Sequence, residues 1–387
     1  MSKVTVLVVD DSVVVRRLVI NALSIDPDIV VVGTASSGRL ALQKITQLKP
    51  DVVTLDVEMP DMNGLEALVE LRKTHSRLPV IMFSTVTERG ASATLDALGK
   101  GANDYVTKPS SVGSVDEAID SVRRQLIPKI KALAEWAAQD GVRRGRPTRP
   151  ARTAPPATAA AAPRAVLPPA PTPRPRATPG ARIEAVAIGV STGGPDALAG
   201  ILPKISQTIG VPIFIVQHMP PVFTRLFAER LDARSGLTVT EAKHGDLVRP
   251  GCVYIAPGDL HMTVTRRGDE VRIATNQDPP EAWCRPAVNV LFRSVAQVYG
   301  GATLAVILTG MGSDGLRGVE VLHGAGAQIV VQDEPTSIVW GMPGAVAGAG
   351  LADRIVALDG IAAEINQRVS SSRASVAPRA AKSVSVR

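Results

Sequence analysis

Cysteine is scarce in this sequence: Cys252 and Cys284 are the two cysteines among its 387 residues. Their number and spacing fit neither a disulfide framework nor a zinc site, so we expect both to be small buried apolar residues. Aromatic residues make up 3% of the chain, too few for the stacking platforms that bind single-stranded nucleic acid. These shortages argue against a disulfide-stapled scaffold and against single-strand binding.

Long apolar runs are also missing. No uncharged apolar run reaches the length of a bilayer span, and the N-terminus leads at once into a short apolar stretch that ends in acidic residues. We therefore expect no signal peptide, no direct membrane insertion and a cytoplasmic location. The apolar fraction of 45% is still ample for buried cores, and the length suggests two domains.

Acidic residues are absent from two stretches that hold much of the basic charge. Residues 141–183 contain nine arginines, and residues 373–387 contain four basic residues. These thirteen charges exceed the net charge of +7, so the rest of the chain is net negative by about six, and we expect no nucleic-acid partner. Residues 141–181 are rich in Pro, Ala, Thr and Arg with little to bury, which predicts a disordered linker.

The first 124 residues alternate between short apolar runs and helical patterns. Five such runs predict an open, flavodoxin-like five-stranded parallel sheet with helices on both faces. The predicted strands cover residues 4–9, 29–32, 52–55, 80–83 and 105–106. Sheets of this kind bind ligands beyond the carboxyl ends of their strands.

Polar residues follow four of these strands. Asp10 and Asp11 follow the first strand, Asp56 the third, Ser84 the fourth and Lys108 the last. Three converging carboxylates repel one another unless a cation lies among them, and hard oxygen ligands suit Mg²⁺. We expect Asp56 to attack phosphorus and form an aspartyl phosphate, while Lys108 and Ser84 hold phosphoryl oxygens. The alternative, for any one of these residues, is a solvated position at a strand end.

A second alternation of runs and helical patterns begins near residue 183 and predicts a doubly wound parallel α/β domain. Its first run precedes residues 189–194, GVSTGG, which must turn tightly because glycine recurs there. A strand, a turn and a helix would place Ser191 at the carboxyl end of a strand, beside the unpaired N–H groups of the helix. The stretch is compatible with a nucleophile elbow, a phosphate-binding turn or a plain tight turn.

Two further polar residues follow predicted strands of this half. His218 comes after the strand at 211–216 and Asp314 after the strand at 303–308, so the fold can bring both to the sheet edge of Ser191. There His218 would take the proton of Ser191, and Asp314 would fix the tautomer of the imidazole. His244 and His261 lie in the same half and remain competitors for the role of base.

Residues 1–124 resemble the receiver domain of two-component response regulators. The resemblance is carried by VDDS at 9–12, LDVEMPDMNG at 55–64, Ser84, Tyr105 and Lys108-Pro109. It implies that a histidine kinase phosphorylates Asp56, that Mg²⁺ binds among the three acidic residues, and that Ser84, Tyr105 and Lys108 form the switch.

The second half resembles the chemotaxis protein-glutamate methylesterases (CheB). The motifs are GVSTGG, QHMPPVFTRLFAERL, YIAPGDLHM, LTGMGSDG and WGMPGA. The resemblance implies that Ser191 is the nucleophile, His218 the base and Asp314 its partner. Thr192 and the backbone near Met311 would help to build the oxyanion hole, and the esterase chemistry would need no cofactor.

The resemblance also implies a reaction and its partners. The reaction would be hydrolysis of glutamyl methyl esters on methyl-accepting chemotaxis receptors, with release of methanol, and deamidation of glutamines at similar sites. The phosphodonor would be a chemotaxis histidine kinase, and the protein would be recruited to receptor arrays. Cys284 and Asn289 depart from the family pattern, in which His and Asp are common at these positions, but the departures leave the three catalytic candidates untouched.

We expect four parts: a receiver at residues 1–124, a helical extension and linker at 125–182, a catalytic domain at 183–370 and a disordered basic tail at 371–387. Two other functions remain open. A second domain that binds a nucleotide or a partner through its glycine turn does not explain His218 and Asp314 at strand ends. A DNA-binding output domain lacks a basic face and a helix-turn-helix pattern.

Overall fold

The computed structural model describes residues 3–109, 114–144 and 182–374. Most of the expected disordered linker, and the tail beyond residue 374, lie outside the described residues. Within the described ranges, no helix is both long enough and apolar enough to cross a bilayer.

The N-terminal part is a five-stranded, wholly parallel sheet. Its elements are β1 (Val4–Val9), α1 (Val13–Ser24), β2 (Ile29–Ala35), α2 (Gly38–Leu48), β3 (Val52–Asp56), α3 (Gly64–Thr74), β4 (Val80–Ser84), α4 (Glu88–Gly99), β5 (Asp104–Thr107) and α5 (Val115–Arg144). The strand order is β2-β1-β3-β4-β5. Alternate residues of each strand face opposite sides, so Val6 and Val8 pack in the cluster of α1 and α5, whereas Leu7 and Val9 pack with α2, α3 and α4. The predicted receiver fold is thereby confirmed.

Helix α5 is more than twice as long as α1 to α4, with 30 residues and Pro128 in its interior. Val122, Leu126, Ile130 and Leu133 are fully buried on one face of it, at the three- and four-residue spacing that aligns side chains along a helix. The domain boundary predicted at residue 124 therefore falls inside a continuous helix.

The second part is a seven-stranded parallel sheet with an added antiparallel hairpin. Its elements are β6 (Ala185–Val190), α6 (Gly194–Ile201), β7 (Ile213–Gln217), α7 (Phe223–Arg234), β8 (Thr238–Glu241), β9 (Cys252–Ile255), β10 (His261–Arg267), β11 (Glu270–Asn276), α8 (Val288–Tyr299), β12 (Thr303–Ile307), α9 (Leu316–Gly324), β13 (Gln328–Gln332), α10 (Gly341–Gly348), β14 (Arg354–Val356) and α11 (Leu358–Ala374). The parallel strands run β14-β13-β12-β6-β7-β9-β8, and β10 pairs with β11 alone. This confirms the α/β prediction, but the sequence reasoning missed the hairpin.

The sheet order places the three candidate strand ends next to one another. β6 lies at the centre of the sheet, with β12 on one side and β7 on the other. All three strands are fully buried, as expected for parallel strands covered on both faces. Helices α6, α7 and α11 contribute to one buried cluster, and α8, α9 and α10 to the other. The carboxyl end of β6 thus lies between the carboxyl ends of β12 and β7.

Candidate active site

Ser191 directly follows β6 and begins a tight turn into α6. The turn requires glycine twice: Gly193 has a φ of 77°, which favours residues without a Cβ, and a Cβ on Gly194 would lie 1.9 Å from Oε1 of Gln217. The N–H of Ser191 donates to the carbonyl of Thr309 at 3.0 Å. These contacts hold the backbone of Ser191 at the strand end that the sequence predicted.

His218 lies beside Ser191 because their strands are in register. Val190 is paired with Gln217, so the next residue of each strand continues side by side. The N–H of His218 donates to the carbonyl of Val190 at 3.4 Å, and Nε2 of Gln217 donates to the carbonyl of Ser191 at 3.1 Å. The neighbouring strand ends therefore bring the hydroxyl and the imidazole to one edge.

Asp314 is buried and bonded to His218, with 2.8 Å between Oδ2 and Nε2. A carboxylate can only accept, so Nε2 carries the hydrogen toward Asp314 and Nδ1 is the nitrogen that faces other partners. Asp314 also accepts from the backbone N–H groups of Val288 (2.7 Å), Asn289 (3.0 Å) and Gly315 (2.8 Å). Burial raises the pKa of Asp314, but the hydrogen bonds from His218 and from the backbone outweigh it and hold the pKa below its usual value. The carboxylate is therefore ionised and fixed in direction.

Asn289 supports this carboxylate from the first turn of α8. Its Oδ1 accepts from the N–H groups of Gly315 and Gly318, both at 2.9 Å. The asparagine that departs from the family pattern thus ties α8 to the loop that carries Asp314. Sequence reasoning identified the departure but not this role.

Cys284 lies against the free nitrogen of His218, with 3.5 Å between Sγ and Nδ1. The expectation that both cysteines are buried is wrong, because Cys252 and Cys284 are each partly exposed, and the thiol of Cys284 has an imidazole partner. Burial lowers the pKa of His218, but its electrostatic contacts and hydrogen bonds with Cys284 and Asp314 outweigh burial, so the pKa is raised. Among the described residues, Oγ of Ser191 has no hydrogen bond to His218; the thiol occupies that nitrogen.

Cys284 belongs to a turn that projects beside the site. Glu281 and Cys284 exchange two backbone hydrogen bonds, and the two residues between them have positive φ angles, 51° at Ala282 and 65° at Trp283. Such angles cost residues with a Cβ about 1 kcal/mol or more each, so the surrounding structure must hold the turn. A hydrogen bond of 2.8 Å from Nη1 of Arg293 to Oε1 of Glu281 anchors the first residue of this turn. Trp283 at the tip is 97% exposed.

The two competing histidines, His244 and His261, are bonded to backbone groups rather than to Asp314. His261 is fully buried, its Nδ1 accepts from the N–H of Ala287 at 3.2 Å, and its Nε2 lies 3.2 Å from the carbonyl of Pro279. Nδ1 of His244 accepts from the N–H of Thr275. Both imidazoles are engaged with the backbone, so His218 is the histidine that the structure brings to Asp314.

Thr192 and Met311 offer backbone donors next to Ser191. In residues 182–374, the N–H groups of Thr192 and Met311 have no hydrogen-bond partner, and Thr192 itself is anchored through its carbonyl, which accepts from Oγ1 of Thr309 at 2.9 Å. The segment that contains Met311 can lie close to Ser191 because Gly310 has no side chain. A Cβ on Gly310 would lie 2.9 Å from the Cβ of Ser191. Unpaired N–H groups at this position can stabilise a negative oxygen.

The receiver residues form a second charged cluster. Nζ of Lys108 lies 2.8 Å from Oδ1 of Asp56 and 2.9 Å from Oδ2 of Asp10, and both carboxyls are buried. Burial raises the pKa of Asp56 to about 6; the charge of Asp10 adds to this, and the hydrogen bond from Lys108 opposes it. Asp11 is exposed but has a carboxylate oxygen within 4.8 Å of those of Asp10 and Asp56.

These residues fit a hard divalent cation. The donor set is three carboxylates, the ligands that Mg²⁺ prefers. Oδ2 of Asp56 is buried and has no hydrogen-bond partner among the described residues. An unpaired buried carboxylate oxygen is costly unless a cation or another donor reaches it.

The other two switch candidates, Ser84 and Tyr105, have partners outside this cluster. Oγ of Ser84 donates to the carbonyl of Gly90 in α4 at 3.1 Å. The ring of Tyr105 stacks on Phe223 of α7, with 4.8 Å between ring centroids and 8° between planes. Tyr105 is therefore engaged with the second domain in this structure.

Helix α4 of the first domain packs on α6 and α7 of the second, the helices that follow Ser191 and His218. Nη1 of Arg230 lies 2.7 Å from Oδ1 of Asp96, Nη2 of Arg230 donates to the carbonyl of Ser92 at 2.8 Å, and Arg225 pairs with Glu88. One buried apolar cluster is continuous across this contact. The first domain therefore rests on the two helices that begin next to Ser191 and His218.

Comparisons with known proteins agree with this architecture. The family model of the response regulator receiver domain matches residues 6–120, and that of the CheB methylesterase matches residues 186–365. A protein-glutamate methylesterase/protein-glutamine glutaminase of Nocardioides sp. is 50% identical over 99% of this chain and 100% of its own, and that of Trichodesmium erythraeum is 49% identical over 95% and 100%.

Two solved structures of domains are also similar in sequence to parts of this chain. The crystal structure of the Thermotoga maritima CheB methylesterase catalytic domain is 40% identical, covers 48% of this chain and 98% of its own, and has a TM-score of 0.47. The response regulator domain of Thermotoga maritima CheB is 41% identical, covers 34% and 97%, and has a TM-score of 0.31. The full-length relatives decide the assignment: this chain belongs to the CheB family of protein-glutamate methylesterases/protein-glutamine glutaminases, with a response regulator receiver domain and a methylesterase domain.

Proposed function

We propose that this protein hydrolyses methyl esters of glutamate side chains on chemotaxis receptors, releasing methanol, and that it deamidates receptor glutamines at the same site. The observation that carries the proposal is the bond between His218 and Asp314 at the strand end adjacent to Ser191. The names of the full-length relatives describe both activities. No cofactor is needed, because a serine, a base and backbone donors suffice for acyl transfer.

The reaction follows from the tautomer of His218. Oγ of Ser191 attacks the ester carbonyl while Nδ1 of His218 takes its proton, because Nε2 is committed to Asp314. The N–H groups of Thr192 and Met311 would hold the oxyanion of the tetrahedral intermediate. His218 then protonates the departing methoxide, and methanol leaves. Water attacks the acyl-enzyme by the same route; for a glutamine substrate the leaving group is ammonia.

One contact must change before this reaction begins. The thiol of Cys284 lies on Nδ1, the nitrogen to which Ser191 must deliver its proton. The hydroxyl of Ser191 must therefore replace the thiol as the partner of Nδ1. Substrate binding in the crevice would supply the driving force by removing water from the hydroxyl.

We further propose that phosphorylation of Asp56 controls the esterase. The receiver domain has the carboxylates to hold Mg²⁺, which when bound neutralises an incoming phosphoryl group, and Lys108 would hold a phosphoryl oxygen in place of its present partners. The donor would be a chemotaxis histidine kinase, and the methylated receptors would bring the protein to their arrays. In the unphosphorylated state, α4 and Tyr105 rest on the helices of the catalytic edge and restrict access of the receptor.

Reversing the charge of Arg230, at the contact between α4 and α7, should raise the basal esterase activity. Arg230→Glu would face Asp96 and repel it, and we expect methanol release by unphosphorylated protein to rise about tenfold, since about 1.4 kcal/mol changes an open fraction by that factor. Adding Asp96→Arg should restore the low activity. The matched control is Arg354→Glu, whose partner Glu364 belongs to the same domain. An unchanged basal rate in Arg230→Glu would contradict occlusion by the receiver.

Asp56→Asn should uncouple the enzyme from phosphodonors. An amide cannot form an aspartyl phosphate, so a small-molecule phosphodonor with Mg²⁺ should raise methanol release by the wild type and leave the variant at its basal rate. Glu58→Gln is a control near the same strand end that keeps the acceptor carboxylate. Equal stimulation of Asp56→Asn and wild type would place the phosphorylation elsewhere.

A further inference from the structure

The strongest unexplained feature of the site is a continuous chain of contacts from a thiol to a carboxylate. Sγ of Cys284 lies 3.5 Å from Nδ1 of His218, and Nε2 of His218 lies 2.8 Å from Oδ2 of Asp314. This order of thiol, imidazole and carboxylate is the one that activates cysteine in hydrolases. We propose that Cys284 is a reactive thiol, and that peroxide oxidises it and thereby switches the esterase off.

The chain of contacts explains why this thiol would be reactive. A cysteine attacks as its thiolate, and an imidazole in hydrogen-bond contact removes the proton. Asp314 stabilises the resulting imidazolium, and its own charge is fixed by three backbone N–H groups. The pKa of His218 is raised by the same two neighbours, which favours transfer of the thiol proton to the imidazole when the sulfur attacks.

Access to the thiol follows from the turn that carries it. Cys284 is the last residue of the turn that begins at Glu281, its side chain is partly exposed, and the neighbouring Trp283 stands almost wholly in solvent. A molecule as small as peroxide can reach Sγ there. The second cysteine, Cys252, begins β9, and no histidine in the described part of the chain makes a hydrogen bond with it. It is therefore an internal control.

The oxidation step balances without any other redox partner. The thiolate sulfur attacks one oxygen of hydrogen peroxide, the O–O bond breaks, and the departing hydroxide takes the proton of the His218 imidazolium to become water. The sulfur loses two electrons and becomes a sulfenic acid, and the peroxide gains them. A thiol reductant reverses the step through a mixed disulfide, which a second thiol resolves.

Oxidation would stop the esterase for a geometric reason. The added oxygen lies on the Nδ1 side of His218, where the Ser191 hydroxyl must place its proton. A sulfenic acid there hydrogen-bonds the ring and fills the space, so the base and the nucleophile stay apart. The inhibition rests on the proposed esterase function, whereas the reactivity of the thiol does not.

The first test compares full-length wild type, Cys284→Ser and Cys252→Ser after treatment with hydrogen peroxide. Each protein is scored by methanol release relative to its own untreated rate. We expect wild type and Cys252→Ser to lose at least about 90% of their activity and to regain it with a thiol reductant, while Cys284→Ser keeps most of its own activity. Equal losses in all three proteins, or no loss in wild type, would overturn the switch.

The second test needs no esterase activity. Iodoacetamide alkylates thiolates with loss of iodide, and mass spectrometry of wild type gives the rates at Cys284 and Cys252 in the same molecule. We expect Cys284 to react at least about tenfold faster, and His218→Asn to remove that advantage while leaving the rate at Cys252 unchanged. Equal rates at the two cysteines in wild type would overturn the proposed reactivity, even where methanol release is normal.

Discussion

Ser191→Ala is expected to lower methanol release from methylated receptors by at least about a thousandfold. The loss is large because alanine removes the atom that forms the acyl-enzyme, while His218, Asp314 and the backbone donors can still polarise water and leave a small residual rate. The side chain of Ser191 makes no hydrogen bond with any described residue, so the free energy of unfolding should stay within about 0.5 kcal/mol of wild type.

The control for this variant is Ser370→Ala, which removes a hydroxyl on α11 whose bond is local, to the carbonyl of Gln367. It should release methanol at the wild-type rate. If Ser191→Ala also kept a rate within tenfold of wild type, the nucleophile would have to be a different group, and the thiol of Cys284 would be the first to examine.

Asp314→Asn is expected to cost about 10⁴-fold in kcat, because the tautomer of His218 depends on an acceptor at Nε2. Asp314 accepts four hydrogens on two oxygens, from His218 and Val288 at Oδ2 and from Asn289 and Gly315 at Oδ1. Asparagine has one carbonyl oxygen, so its NH₂ group must face two donors on one side. The free energy of unfolding should therefore fall by about 1 to 3 kcal/mol as well.

Asp353→Asn separates the two effects. Asp353 accepts from the N–H of Ile329 at 2.7 Å, at the far side of the sheet, so its amide variant loses the carboxylate charge, keeps an oxygen for this bond and does not touch His218. We expect it to keep the wild-type kcat. Activity of Asp314→Asn within tenfold of this control, measured on folded protein, would show that Asp314 only supports the fold.

Much of the fold could be predicted from the sequence because it depends on local signals. The buried strands β1, β3, β4, β6 and β12 are short apolar runs bounded by polar or glycine-rich turns, and parallel strands covered on both faces leave such runs. The hairpin of β10 and β11 was missed although Met262 and Val264 alternate with polar residues, as do Val271 and Ile273. A pattern of strands joined by helices does not predict an antiparallel pair whose two strands are connected directly by a turn at Gly268.

The positions of the three catalytic candidates could also be predicted, since each follows a strand whose carboxyl end meets the others at one edge. Which ring nitrogen of His218 bonds Asp314 could not be predicted. It depends on α8, whose N-terminal N–H groups place Asp314 on the Nε2 side of His218. The contact between Cys284 and His218 depends on a turn with two positive φ angles at Ala282 and Trp283, and neither residue type signals such a backbone. Tyr105 reaches Phe223 through packing between domains, which no local pattern records.

The most direct measurement of the central claim is methanol release from receptors that carry labelled methyl esters, by the purified full-length protein with and without a small-molecule phosphodonor and Mg²⁺. The account predicts methanol in both conditions, more of it with the phosphodonor, and a rate at least about a thousandfold lower from Ser191→Ala in either. Wild-type protein that releases no methanol even when phosphorylated would contradict the proposal that Ser191, His218 and Asp314 form a phosphorylation-controlled esterase.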